Sequence, residues 1–219
     1  MANTTDVDCI ILGGDLIHGT YGHNSALGEL NYLAQVFQKA KVPVISARGN
    51  HDNNDYHGKP CALQHIITNE EWTNTLLTPL AKGVETVHDE DDPYSTYYYM
   101  DFPEKKTRVI VLDAWNYPII TTDGVHSVYS AENGWDMYGD DAQVEWFAKV
   151  ALDAELQGWN YVLSTHAPIA GNSYSGSSSN TNLIREIITA FNKKTSVNVY
   201  GATMDYSNYD GQMPLNVSG

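Results

Sequence analysis

Cysteine is nearly missing from this chain, with only Cys9 and Cys61 among 219 residues and no Cys-x-x-Cys pair. That excludes a thiolate zinc site and a disulfide framework. Each cysteine reads as a buried thiol, in keeping with a reducing compartment. Basic residues are scarce as well: 12 Lys and Arg stand against 27 Asp and Glu, a formal net charge of -15. A surface of that sign repels nucleic acid and anionic lipid, so neither is expected as a partner. A phosphate bound here would need a cation to neutralise it. No apolar run approaches the roughly 18 residues that cross a bilayer. The opening "MANTTDVDC" lacks the basic and apolar regions of a secretory signal, so a cytoplasmic location is expected. There is no Gly-x-Ser-x-Gly elbow, and "SYSGSSS" is a low-complexity loop, so a serine hydrolase is a poor reading. Neither a repeat nor a linker divides residues 1–219, which read as a single domain.

What is present is a core. Hydrophobic residues make up 42% of the chain, enough for a sizeable α/β domain. Val7 to Leu12 is a continuous apolar run closed by glycines, the pattern of a buried strand. From Ser25 to Lys39, Leu30, Leu33, Ala34 and Phe37 fall on one helical face. "KVPVISARGNHD" is strand then loop, and a helix is expected between Ala62 and Leu80. Strand, helix and strand at this spacing make a parallel βαβ unit. "STYYYMDF" and "TRVIVLDAW" read as adjacent antiparallel strands. A helix is expected from Asp140, with Val144, Phe147, Ala148 and Ala151 on one face. "NYVLSTHAPI" is another strand, "GNSYSGSSSN" a Gly/Ser loop, and "NLIREIITAFNKK" a helix with basic residues in its last turn. His88 to Asp92, "HDEDD", reads as a solvated acidic loop.

Three apolar strands end in metal-competent side chains: Asp15 after the first, Asn50, His51 and Asp52 after the second, and His166 after the third. Taken singly, each has an ordinary structural explanation. Asp15 suits a turn or helix cap, Asn50 a turn, and the two histidines a satisfied interior. Taken together they lie at the carboxyl ends of strands, where α/β sheets bind ligands. Carboxylate, amide carbonyl and imidazole without thiolate suit Mn, Fe or Zn. A carboxylate can bridge two such cations, and a cation pair can clamp a phosphate and activate water.

"GGDLIHG", "GNHD" and "STHAP", in that order, resemble three blocks of the calcineurin-like metallophosphoesterases, and "GDDAQVEWF" resembles a helix of the same family. The resemblance implies an α/β fold of two packed mixed β-sheets flanked by helices, a four-layer sandwich. It implies that Asp15 bridges two divalent metals, and that Asn50 and His166 bind the second. It also implies that His51 meets the phosphate and assists the leaving group, and that Asp52 orients His51. The reaction would be attack of metal-activated hydroxide on a small phosphomonoester or phosphodiester.

Two further family blocks are not in place. No Asp-x-His precedes the Gly-Gly-Asp strand, and no Gly-His-x-His follows near the C-terminus. The fold is therefore expected to be incomplete at both ends, with the first strand left short of a neighbour. Asp15, Asn50 and His166 supply three ligands, so at most one metal is expected, with weak hydrolysis or none. His18 and His23 are the nearest substitutes, although surface loop residues are the default. The alternative is a non-catalytic binding or scaffold domain. Fifteen Tyr and five Trp leave open whether aromatics stack a base or sugar or simply fill the core and surface.

Overall fold

The computed structural model describes residues 6–56, 61–116, 121, 123–127, 137–153, 155–169 and 179–218. The Gly/Ser run 171–178 and His57 lie outside them. The chain begins with β1 (Ile10–Leu12), α1 (His23–Phe37) and β2 (Val44–Ser46), and β1 pairs in parallel with β2. The apolar run from Val7 enters the ladder only at Ile10, whose N–H donates to the carbonyl of Pro43. Pro43 itself has no N–H to offer, which limits pairing on that side. The helix starts two residues earlier than its apolar face suggested and buries Ala26, Leu30 and Ala34.

The second stretch of the chain builds β3 (Cys61–Ala62) and a broken helix. The helix expected between Ala62 and Leu80 is a 3-10 turn (Leu63–His65), then α2 (Asn69–Trp72), a π turn (Thr73–Leu77) and α3 (Thr78–Leu80). A capping box starts α2: Thr68 Oγ1 accepts from Glu71 N, and Glu71 Oε2 accepts from Thr68 N. The wide turn ends just before Pro79, which cannot donate into a regular ladder.

A five-stranded mixed sheet follows. It holds β4 (Thr86–Val87), β5 (Tyr98–Phe102), β6 (Thr107–Leu112), β8 (Asn160–Thr165) and β11 (Gln212–Ser218), in the order β11-β8-β6-β5-β4. The inner strands β6 and β8 are parallel, as are β8 and β11; β5 and β4 run antiparallel. Short β7 (His126–Ser127) pairs with β3.

Period-two alternation decides what each face of this sheet meets. Tyr98, Met100, Val109 and Val111 point one way and pack with Val44, Ile45 and Ala47, and beyond these with Ala26, Leu30, Ala34 and Leu76 of the helices. Tyr97, Ile110, Leu112, Tyr161 and Leu163 point the other way, onto α4 (Asp141–Trp146), the π turn Phe147–Ala151 and α5 (Ser179–Lys193). The layers are thus helices, a small parallel sheet, the mixed sheet and helices again. The single helix expected from Asp140 ends in a π turn, and Arg108 caps its last carbonyls. Its Nη1 donates to the carbonyls of Val150 and Ala151, while Asp101 holds the rest of the guanidinium. The last segments form a hairpin, β9 (Ser196–Val199) with β10 (Ala202–Asp205), before β11 returns beside β8. Among the described residues, no helix is long and apolar enough to cross a membrane.

Candidate active site

The parallel strands β1, β2 and β8 deliver their carboxyl ends to one place, and close backbone approach there is possible only with glycine. A Cβ on Gly49 would stand 2.2 Å from Asp15 Oδ1 and 2.4 Å from Asp15 N. One on Gly14 would stand 2.7 Å from both Gly49 N and the His166 ring. Gly14 also has φ +92°, and Asp15 follows at φ 53°, a left-handed backbone that Asp accepts more readily than most residues and that its surroundings impose here.

Asp52 supplies that imposition. It is fully buried, and its carboxylate accepts four backbone N–H groups: Oδ2 from Asp15 at 2.9 Å and Gly49 at 2.6 Å, and Oδ1 from Leu16 at 2.7 Å and Ile17 at 3.2 Å. Burial pushes this carboxyl up to about 6 against those bonds, so it is still ionised at neutral pH. The resemblance implies that it orients His51, whereas the bonds it makes in the structure go elsewhere. Both oxygens are committed to the two loops, and the partner of the His51 imidazole is the carbonyl of His18, at 2.7 Å from Nδ1. A carbonyl can only accept, so His51 carries its proton on Nδ1 and turns Nε2 outward when neutral.

His166 is fixed in the same way. Its Nδ1 donates to the carbonyl of Gly13 at 2.6 Å, and Trp115 backs the ring at 5.5 Å between centroids. The Nε2 of His166 then faces Asp15 Oδ2 at 3.5 Å. Two acceptors face each other there, and a positive charge between them, proton or cation, reconciles them. Neighbouring ligands of one cation, each about 2.1 Å from it, stand roughly 3.0–3.4 Å apart, and this pair lies just beyond that spacing. Asn50 sits in the same loop as His51, whose N–H donates to Asp15 Oδ1 at 3.1 Å. Among the described residues, no group of three or more His, Cys, Asp or Glu could hold a metal ion. Among the described residues, the Asn50 amide is the neighbouring side chain that could add an oxygen ligand.

His18 and His23 have side-chain partners of their own. His18 Nδ1 pairs with Thr20 Oγ1 at 2.6 Å, and His23 forms an ion pair with Glu71 at 2.9 Å. An Asp-x-His does occur once in the sequence, at Asp55–His57, after the Gly-Asn-His-Asp block and so out of the family's order. The sequence reading passed over it.

Behind the site lies a buried ion pair that the sequence reading missed. Arg48 Nε donates to Asp113 Oδ2 at 2.8 Å, both residues being almost fully buried. Thr96 donates to the same oxygen at 2.6 Å, and Trp115 N to Oδ1 at 2.8 Å. Gln143 bonds both backbone polar groups of Asp113. The pair ties the end of β2 to the end of β6 one residue before the glycine that approaches Asp15. Its only sequence signal is a charged residue closing each of two apolar runs.

The model of one family, calcineurin-like phosphoesterase, matches residues 1–201. The chain belongs to that family. Membership bears out the resemblance carried by "GGDLIHG", "GNHD" and "STHAP", and it supports metal-dependent phosphoester hydrolysis in general terms. Among curated proteins, a calcineurin-like phosphoesterase relative is the manganese-dependent ADP-ribose/CDP-alcohol diphosphatase of Homo sapiens, 28% identical over 116 residues. That alignment spans 52% of this chain and 31% of the human protein, about a third of its length. No solved structure matches.

Proposed function

We propose that this chain is a phosphoester hydrolase of limited activity. In this reading Asp15, Asn50 and His166 hold one divalent cation, and His51 acts on the leaving group. The observation that carries it is the 3.5 Å approach of His166 Nε2 to Asp15 Oδ2, with the other imidazole nitrogen already bound to Gly13. When bound, the cation would neutralise phosphate charge and acidify a water molecule. The chain's own groups do the rest. Hydrolysis adds water across the P–O bond, giving hydroxyl to phosphorus and a proton to the leaving oxygen. His51, pinned through Nδ1, can deliver that proton only from Nε2, in its imidazolium form. Asp52 holds the two loops in register and takes no part in proton transfer.

Manganese is the first metal to try, and small phosphodiesters and nucleoside diphosphate derivatives are the first substrates, by analogy with the human diphosphatase. Among the described residues no group of three or more His, Cys, Asp or Glu gathers, which favours a second reading, a non-catalytic domain that binds cation and phosphate without turnover. Calorimetric titration with Mn²⁺, beside hydrolysis of bis-p-nitrophenyl phosphate and ADP-ribose, separates the two. Expected are one bound ion, abolished by Asp15→Asn, and slow Mn²⁺-dependent turnover that His51→Ala removes. Binding without turnover selects the second reading. Two tightly bound ions, or binding indifferent to Asp15→Asn, would overturn the one-cation site.

A further inference from the structure

We infer that Tyr56 is a positioning residue that sets both Asn50 and His51 in working orientation; this rests on the site assignment just proposed. The phenol ring lies flat on the His51 imidazole, with centroids 4.1 Å apart and the planes 1° from parallel. Its hydroxyl oxygen accepts from Asn50 Nδ2 at 2.7 Å. One side chain therefore touches both polar groups of "GNHD" that would meet a ligand.

Local chain geometry puts it there. The N–H of Asn54 closes a turn onto the carbonyl of His51 at 3.0 Å, and Asn54 is fully buried with φ 64°. Asn is one of the few residues that accept a left-handed backbone at modest cost. The Asn54 amide then donates to the carbonyls of Tyr21 at 2.7 Å and His65 at 2.8 Å, anchoring the reversal to two other loops. The next residues fold back, and Tyr56 covers the imidazole five positions before it.

The chemistry explains why such a residue is useful. The two ends of a carboxamide have the same shape, and only hydrogen bonding decides which end faces where. In the structure the phenol oxygen accepts from Nδ2, and with that bond in place Oδ1, the end of Asn50 able to bind a cation, points away from Tyr56. The imidazole has a comparable freedom about its last torsion. The His18 carbonyl fixes one nitrogen, and the aromatic face of Tyr56 fixes the ring plane. The arrangement parallels the outer partners that orient ligands in metal sites.

Tyr56→Phe keeps the stack and removes the hydroxyl; Tyr56→Leu removes both. In metal-free protein, NMR should find the Asn50 side-chain NH₂ resonances shifted in Tyr56→Phe while the upfield-shifted His51 ring protons stay in place. In Tyr56→Leu both sets should move. On titration, Tyr56→Phe should weaken Mn²⁺ binding about fivefold, the worth of one lost hydrogen bond, with kcat at saturating metal little changed. Tyr56→Leu should lower kcat as well and move the pH profile. Asn50 and His51 resonances indifferent to both variants would overturn the assignment, as would wild-type Mn²⁺ affinity in Tyr56→Phe. If wild-type protein binds no Mn²⁺, the proposed function fails and the metal-free NMR arm alone decides the role of Tyr56. Should Tyr56→Leu not fold, the near-isosteric Tyr56→Phe decides through the Asn50 resonances and Mn²⁺ affinity.

Discussion

Replacing Asp52 by asparagine changes shape hardly at all, yet the structure gives it a large expected cost. The carboxylate accepts two N–H groups on each oxygen: Asp15 and Gly49 on one, Leu16 and Ile17 on the other. A carboxamide has one oxygen. Whichever way it turns, its NH₂ end meets two N–H donors, and both are left without an acceptor in a fully buried place. Each orphaned donor costs about 1–3 kcal/mol, so Asp52→Asn should lose about 2–6 kcal/mol. That is a large share of the roughly 5–15 kcal/mol that keeps a domain folded. Urea denaturation followed by tryptophan fluorescence at pH 7.5, well above the Asp52 value of about 6, reads the loss directly. The same variant separates the two roles considered for this residue. A carboxylate that merely oriented the His51 ring would leave stability intact on becoming Asn and would change only a pH profile. Stability within about 1 kcal/mol of wild type would refute the loop clamp.

Further expectations concern the surroundings of the site and one distant loop. Arg48→Met leaves the Asp113 carboxylate buried with only Thr96 and Trp115 as donors and should cost about 3–5 kcal/mol; a double variant with Asp113→Leu should recover part of this in the same denaturation assay. Gly49→Ala drives a Cβ against Asp15 backbone and carboxylate, so calorimetry should find a lower Tm, from about 1–3 kcal/mol of overpacking, and Mn²⁺ titration a weakened site. An unchanged Tm would contradict the close approach. His88 donates to the carbonyl of Ser95 at 2.8 Å, and burial holds its imidazole below the ordinary histidine value despite that bond and nearby Asp92. The folded chain therefore binds fewer protons here than the unfolded one. This contribution to stability is complete above about pH 6.5 and is lost as pH falls toward the folded-state value. His88→Gln should flatten that part of the stability–pH curve, and an identical slope in both proteins would count against it.

Much of this architecture was legible because burial writes itself into apolar periodicity. β1 is an unbroken apolar run, β2, β6 and β8 are largely β-branched or apolar, and α1 carries its buried face at helical spacing. The site was legible for a related reason: polar residues that close parallel strands must gather at one edge. What escaped reading depends on partners far away in the chain. Asp52 looks like the neighbour of His51 in sequence, but its oxygens are claimed by N–H groups of the β1 loop. Arg48 looks like a strand end until Asp113 is seen beside it. The last carbonyls of the π turn after α4 are capped by an arginine on β6, which no local pattern in that helix reveals. β11 is a strand because β8 presents a free side to it, and "PLNVSG" by itself says little.

The two kinds of bond that assemble the site differ in how much chain they enclose. Asp52 reaches the backbone of Asp15 across 37 residues, whereas the hydrogen bond from His166 to Gly13 closes a loop of 153. The longer closure carries about 1.3 kcal/mol more entropy loss than the shorter one. The left-handed turn of Asp15 is thus held by residues of the same third of the chain, whereas its nitrogen partner is supplied by a strand that lies most of the sequence away.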